Sequence, residues 1–321
     1  MSDLRAIVET EQVLQVLSQH FSTPITDLAP VEGGLISRTL TFHSDGADYI
    51  IRFNKDNMLN SNLPKEAYLY QKLAPAGVPI PEILSTGRLE EHYYAISRKA
   101  PGKMLEQLPI KEVEQLLPQV IEIVDTIHHI DISNTTGYGG FNYQGKALAR
   151  SWRDVFLKVR EEEDDKDFFG KWHHLFDDSF LERPFFDEIY QHMCQLLDFC
   201  PNERYLLYGN PSFRNLLAQD GKITAALDWV DAMYGDFVYD IAYLDFWCPE
   251  LRISDRFLAY YQRQIPVPAY AERLLCYHCY IALSGLRFYA FTNNEPAYQW
   301  LRNTIQTKRT SAQKQQEKRF Y

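Results

Sequence analysis

The sequence predicts an α+β fold in which a small N-terminal antiparallel sheet lobe with one helix precedes a larger helical C-terminal lobe. Three observations predict it. Short strand-like runs fill the first hundred residues, and a Pro/Gly break follows at Lys99-Ala100-Pro101-Gly102-Lys103. Beyond that break the apolar spacing becomes helical, apart from one compact hairpin.

The elements follow in order. Residues 9–21 carry a helical pattern with Val13, Leu14 and Leu17 on one side. Arg38–His43 and Asp48–Phe53 alternate like strands and are joined by the turn Ser44-Asp45-Gly46-Ala47. Pro64–Leu73 reads as a helix with proline in its first turn, stopped by Pro79 and Pro81. Glu82–Arg88 and His92–Ser97 are two further strands around Glu90-Glu91. Helices are then expected over Ile110–His129, Trp152–Glu163 and Phe180–Phe199, with a Gly/Tyr-rich loop over Thr135–Lys146. A strand–loop–strand block spans Tyr205–Trp229, turning at Asp220-Gly221, and helix resumes from Phe237 to about residue 307. The expected division is 1–98, 99–307 and a polar, basic tail over 308–321, read as a frayed helix end or free tail.

Composition narrows the class. The chain has 321 residues, 45% apolar and 24% charged, an ordinary globular balance. Its net charge of −10 argues against a nucleic-acid binder, which needs a basic surface to displace counterions, and is compatible with a cationic ligand. Aromatics at 14% suit a broad core and a pocket that stacks on flat or sugar-like ligands, although core packing accounts for most of them. The N-terminus lacks the apolar core of a signal peptide, and no apolar stretch reaches the roughly 18–20 residues of a membrane span. Five cysteines, odd in number and late in the chain, argue against a disulfide framework and for a reducing, cytoplasmic setting. Cys276-Tyr277-His278-Cys279 looks like a metal motif but lies in an apolar helical stretch with no second ligand pair nearby.

The strongest local signal is Tyr208-Gly209-Asn210-Pro211-Ser212-Phe213-Arg214-Asn215, followed by Leu227-Asp228-Trp229. Kinase chemistry needs a group that orients the attacking hydroxyl, and an Asn plus a later Asp that hold magnesium. Positions 210 and 215 have the five-residue spacing of such a loop, and the hairpin returns the chain to Asp228 beside Asn215. Carboxylate and amide oxygens suit Mg²⁺.

These residues resemble the aminoglycoside phosphotransferase family, a protein-kinase-like fold. Its loop usually reads His-Gly-Asp-x-x-x-x-Asn, then Ile-Asp-Trp and Gly-Asp-x-x-x-Asp; here the last motif is Gly235-Asp236-Phe237-Val238-Tyr239-Asp240. Gly33-Gly34-Leu35-Ile36-Ser37-Arg38, Tyr49-Ile50-Ile51-Arg52, Pro79-Ile80-Pro81-Glu82, Ile96-Ser97-Arg98, Ser151-Trp152-Arg153-Asp154 and Ile223–Trp229 look like its hygromycin B phosphotransferase branch. The likeness spans roughly residues 10–300 in order.

The resemblance implies that ATP or GTP and Mg²⁺ serve a small cationic or polyhydroxylated substrate, in a monomer or homodimer. Residues 1–98 would then form a nucleotide-binding lobe and 99–307 the catalytic and substrate lobe. Gly33, Gly34 and Ser37 would cover the nucleotide phosphates; a plain hairpin turn is the alternative. Arg52 would take the place of the usual phosphate-binding Lys, with Glu66 as its partner, against the plainer reading of an exposed surface Glu. The connector near Ile96–Lys99, including Ser97 and Lys99, would offer backbone groups to adenine, walled by Ile50 and Leu227. Asn215 and Asp228 would be the magnesium ligands. Asp236 and Asp240 are read as loop braces or helix caps. For the substrate, Asp231, Asp245 and Glu250 offer acids, the run Glu161–Asp165 reads mainly as a solvated helix end, and Trp229, Tyr234 and Trp247 offer rings, with core packing expected for at least two of the three.

Asn210 departs from the family pattern. It stands at the base position, where an amide accepts a hydrogen bond but takes no proton at neutral pH, and Tyr208 replaces the usual His. General-base help is worth about 10²–10⁴ in rate. Three readings stay open: a nucleotide-binding pseudokinase, a nearby acid such as Asp231 standing in as base, or a deliberately disabled variant.

Overall fold

A computed structural model describes residues 6–31, 37–55, 62–164 and 168–319. The elements run α1 (Thr10–Ser18), β1 (Thr26–Pro30), β2 (Arg38–Ser44), β3 (Ala47–Lys55), α2 (Asn62–Leu73), β4 (Ile83–Leu89), β5 (His92–Arg98), β6 (Lys103–Met104), α3 (Ile110–His128), β7 (Tyr138–Phe141) and β8 (Ala147–Ala149). They continue with α4 (Trp152–Leu157), α5 (Leu175–Asp178), α6 (Arg183–Leu196), β9 (Tyr205–Leu207), β10 (Leu216–Gln219), β11 (Lys222–Ala226), β12 (Met233–Gly235), α7 (Val238–Trp247), α8 (Ile253–Tyr261), α9 (Tyr270–Phe291) and α10 (Glu295–Arg319). The fold class is the expected one: an antiparallel sheet at the N-terminus and a largely helical C-terminal part.

The chain divides into two compact units. The first comprises residues 1–131, 142–146 and 213–231, and the second 132–141, 147–212 and 232–321. Helix α3 and the β10–β11 hairpin thus belong with the sheet rather than with the helical part, beyond the break expected at residue 99. The reason is visible in the pairing. Strand β6, which lies in that break, pairs with β10, and Gln119 of α3 donates to the Gly221 carbonyl and accepts from the Ile223 amide.

In the first unit a five-stranded antiparallel sheet has the order β1-β2-β3-β5-β4. The turn between β2 and β3 places Asp45 and Gly46 at φ 51° and 73°, the left-handed conformation that a tight hairpin requires. Period-two alternation sorts β3 into two faces. Tyr49, Ile51 and Phe53 bury with Leu40 and Phe42 against Val13, Val16 and Leu17 of α1. Ile50 and Arg52 therefore point to the opposite face, where Arg52 meets Glu66 of α2.

In the second unit a four-stranded sheet of order β8-β7-β12-β9 stands with helices α4 to α10. Strand β9 was expected to share a block with β10 and β11; it pairs instead with β12, as Met233↔Leu207 and Tyr234↔Leu206. The Gly/Tyr-rich loop holds a strand, β7, whose Phe141 stacks on Tyr234 at 4.2 Å and 8°. Helix α4 ends at Leu157, short of the expected Glu163, followed by one 3-10 turn. Beyond residue 307, where a frayed end or tail was expected, α10 continues to Arg319. No helix among the described residues is long and apolar enough to cross a membrane.

Candidate active site

The first unit builds a charged recess around the end of the β10–β11 hairpin. Register pairs Leu216 with Ala226, so Asn215 lies across from Leu227, and the Leu227 amide donates to the Asn215 carbonyl at 2.7 Å. Asp228 is the next residue, and its φ of 58° lies in the left-handed region that a side chain adopts only when its surroundings enforce it. Trp229 supplies part of that enforcement. Its indole is buried at 1% exposure and its Nε1–H donates to the Ala226 carbonyl at 3.0 Å, closing the turn across Asp228. Trp229 is therefore a brace of the turn, and its ring is not available to stack on a sugar as expected.

Arg52 and Glu66 form a bidentate pair. Nη1 donates to Oε1 at 3.0 Å, Nη2 donates to Oε2, and Glu66 is buried at 5%. Burial works against the Arg52 cation. The Glu66 carboxylate, by charge and by hydrogen bond, and the charge of Asp228 outweigh it, so its pKa lies above the ordinary value. Asp228 is affected oppositely: loss of solvation first, then the charges of Asp231 and Glu66, push its carboxyl up to about 6 against the pull of Arg52 and of a hydrogen bond from the Val230 amide. Asp228 is exposed at its rim and yet densely surrounded by protein. The carboxylate is thus reachable from solvent while the protein around it removes part of its hydration.

Lys65, which the sequence did not single out, belongs to the same recess. It is buried at 6%, and its Nζ donates to the Val230 carbonyl at 2.8 Å. Burial lowers its pKa to about 8 despite the charges of Asp231 and Glu66. Asp231, expected near substrate, is thus exposed on the turn that Lys65 holds.

The other first-unit candidates fall as follows. Gly33 and Gly34 lie outside the described residues. The Ser37 hydroxyl donates to the buried Asn54 amide oxygen at 2.6 Å. Ser97 was placed in a connector; it is buried within β5, between Ile50 of β3 and Ile83 of β4, because the strand runs on to Arg98. The Lys99 amide, expected to face adenine, donates to the Asp48 carbonyl at 3.0 Å.

In the second unit, Asn210 follows a loop held from below by Asp240. Both carboxylate oxygens of this buried residue accept backbone amides, Tyr208 N–H and Gly209 N–H, each at 2.8 Å. Gly209 takes φ 81°, and the Ser212 amide donates to the Asn210 carbonyl at 2.7 Å, so the chain turns tightly on both sides of residue 210. Asp236, fully buried, accepts from Arg273 Nε at 2.9 Å, from Arg273 Nη2, from the Tyr277 hydroxyl and from the Val238 amide at 3.1 Å. Trp152 Nε1 donates to the same Tyr277 hydroxyl at 3.0 Å, and a Cβ on Gly235 would collide with the Trp152 ring. These contacts give the Gly235-Asp236 and Asp240 motif a structural reason: it braces the loop and the start of α7.

Asp245, expected near substrate, is buried on α7 beside Lys308 Nζ at 2.8 Å and His278 Nε2 at 3.3 Å, and it accepts the Ser254 amide at 3.1 Å. Every helix packed around it contributes a polar partner, which leaves no free acid for a ligand. Tyr234 is buried, and Trp247 stacks on Trp300 at 5.5 Å and 12°. Cys276 and Cys279 lie buried in α9 as free thiols, and no group of three or more His, Cys, Asp or Glu side chains that could hold a metal occurs among the described residues.

The kinase-like elements and the Asn-x-x-x-x-Asn and Asp-Trp motifs define a phosphotransferase class. The chain belongs to the phosphotransferase enzyme family, whose profile matches residues 27–275. It is 32% identical to the hygromycin-B 4-O-kinase of Escherichia coli over 266 residues, 82% of this chain and 74% of that protein. Among solved structures it resembles a thermostable mutant of aminoglycoside phosphotransferase APH(4)-Ia in ternary complex with ADP and hygromycin B, with TM-score 0.76 and 29% identity over 92% of this chain and 97% of that one. Spectinomycin phosphotransferase APH(9)-Ia, at TM-score 0.62 and 13% identity over 94% and 95% of the two chains, shares the fold.

Proposed function

We propose that the protein transfers the γ-phosphoryl group of ATP to a hydroxyl of a small, polyhydroxylated and cationic molecule, with hygromycin B as the first candidate. The observation that carries this reading is the recess of Arg52, Glu66 and Asp228. It combines an anchored, forked cation suited to phosphate oxygens with a carboxylate surrounded by more negative than positive charge. The hygromycin B assignment is supported by the relative that carries that name and by the complex of the structural neighbour.

The donor chemistry fits a hard divalent cation. Asn215 and Asp228 offer an amide and a carboxylate oxygen from neighbouring positions at the end of one hairpin. Mg²⁺ held there would neutralise the phosphates as charge moves onto the leaving diphosphate. Arg52, held in one orientation by Glu66, grips the nucleotide phosphates. By the family pattern, Asn210 stands at the loop position whose side chain accepts a hydrogen bond from the acceptor hydroxyl. The new P–O bond forms as the bridging P–O bond to the diphosphate breaks. The hydroxyl proton leaves late, to a phosphoryl oxygen or to water, as a loose transition state permits.

A second reading, nucleotide binding without turnover, is favoured by the amide at position 210. The two are separated by measuring ATP consumption with a panel of aminoglycosides for the natural chain and for Asn210→Asp. Turnover that rises at least about tenfold in Asn210→Asp identifies a working phosphotransfer site with a weakened base. Nucleotide binding with no turnover in either protein identifies the binding module. Absence of any nucleotide binding at millimolar concentration removes both readings.

A further inference from the structure

Lys65 is buried, charged and unused by the reaction as described above. Its ammonium reaches across 165 positions of sequence to the Val230 carbonyl at 2.8 Å. Val230 lies two residues beyond Asp228 in the same turn. Its carbonyl is fixed by Lys65, which pins the turn that carries the Asp228 carboxylate. The turn needs such fixing, because Asp228 holds a left-handed φ of 58° and Asp231 at its far end is exposed. Glu66, the neighbour of Lys65 on α2, anchors Arg52. The N-terminal half of α2 thus supports both sides of the recess, the phosphate cation through Glu66 and the turn of the metal-side carboxylate through Lys65.

We propose that Lys65 is a positioning residue that sets the Asp228–Asp231 turn for divalent-metal binding at the nucleotide site. The inference rests on the proposed phosphotransfer site. Two physical effects of removing the ammonium have opposite signs. If Lys65 acted only as a neighbouring charge, its loss would make the recess more negative and metal would bind more tightly. If it holds the turn, its loss frees Val230, lets Asp228 relax from the left-handed conformation, and metal binds more weakly. The hydrogen bond from a buried ammonium to a backbone carbonyl two residues beyond Asp228 points to the second.

The test is ADP binding by calorimetry, with and without Mn²⁺, for the natural chain, Lys65→Met and Lys65→Gln. Lys72→Met is the control, since Lys72 lies in the last turn of the same helix and donates to the Asp131 carbonyl. Near-ultraviolet circular dichroism confirms that each variant is folded. The expected result is a Mn²⁺-dependent gain in ADP affinity for the natural chain and Lys72→Met that falls at least about tenfold in both Lys65 variants, with metal-free ADP affinity unchanged. Gln is included because its amide reaches a carbonyl without carrying charge, so partial recovery over Met supports the positioning role. A Mn²⁺-dependent gain that is unchanged or larger in the Lys65 variants overturns the inference while leaving the proposed function standing. An equal loss with and without metal overturns it as well, in favour of a general structural role. No Mn²⁺-dependent ADP binding in the natural chain sinks the inference together with the function it rests on.

Discussion

Asp240 offers the sharpest energetic prediction in the molecule. It is fully buried, and its two oxygens take the Tyr208 and Gly209 amides at 2.8 Å each, in a part of the chain where water does not compete. In Asp240→Asn the shape is kept, but one acceptor becomes an NH₂ group facing an N–H. One charge-assisted hydrogen bond is lost, worth about 1.5–3 kcal/mol, and one buried amide is left unsatisfied, costing about 1–3 kcal/mol more. Relaxation recovers part of this, so the net expectation is about 2–4 kcal/mol. At roughly 2 °C per kcal/mol for a chain of this size, Tm should fall by about 4–8 °C. Calorimetry gives the shift, and hydrogen exchange at the Tyr208 and Gly209 amides gives its location, since protection should drop there first. Phosphotransfer, where measurable, should fall by about 10² because Asn210 is carried on the same loop. A Tm within 2 °C of the natural chain, with both amides still protected, would refute the claim that this carboxylate holds the loop.

Arg52→Ala strips the partner from a buried Glu66; breaking such a pair costs about 3–5 kcal/mol, and the nearby Lys65 charge places the expectation at the lower end, readable by urea unfolding, with nucleotide affinity falling in parallel. His278 supplies a pH dependence: burial, then the Lys308 charge, depress its pKa to about 4, against Asp245. The unfolded state binds this proton first, near pH 6.5, so the stability that neutral His278 contributes is complete above that pH and is lost as pH falls toward 4, by about 3 kcal/mol. The Asp245 carboxyl, buried but held well below the ordinary range by His278 and Lys308, continues the loss in more acid solution. Denaturation midpoints between pH 7 and 4 should therefore drop steeply in the natural chain and less in His278→Gln; parallel slopes would dismiss His278 as the cause.

The sequence made the β2–β3 hairpin legible because two local signals agreed. Leu40 and Phe42 alternate, as do Tyr49, Ile51 and Phe53, and Asp45-Gly46 supplies the turn between them. Strand β1 had no such signal: four of its five residues are exposed, so an edge position leaves no alternation to detect. Strand β7 carries two adjacent glycines that favour a loop, and long-range pairing with β12 overrides them. The same division runs through the site. The neighbourhood of Asn215 and Asp228 was legible because one hairpin brings the two positions together, which spacing reveals. Lys65 was missed because a lysine early in a helix looks like solvated surface, and its partner lies 165 residues away. Trp229 and Asp245 were of the right type for a ligand, but residue type does not give direction, and both turn inward.

If residue 210 is the base position, as the proposed function has it, the question is what a family member retains when an amide stands where a carboxylate is usual. The groups around position 210 are costly to keep. A buried Asp236–Arg273–Tyr277 network and a buried Asp240 are the kind of interior that apolar residues of similar volume would often stabilise. Their effect is geometric, since they fix the backbone immediately before residue 210 and the start of α7. Holding reactants in line is worth far more than proton removal: effective molarities of well-oriented reactions reach about 10⁵–10⁸ M, against about 10²–10⁴ for a general base. A loop that keeps this frame while its base group is weakened therefore keeps the larger of the two contributions. Asp240→Asn and Asn210→Asp weigh these contributions separately, and the frame variant should cost activity while the base variant restores it.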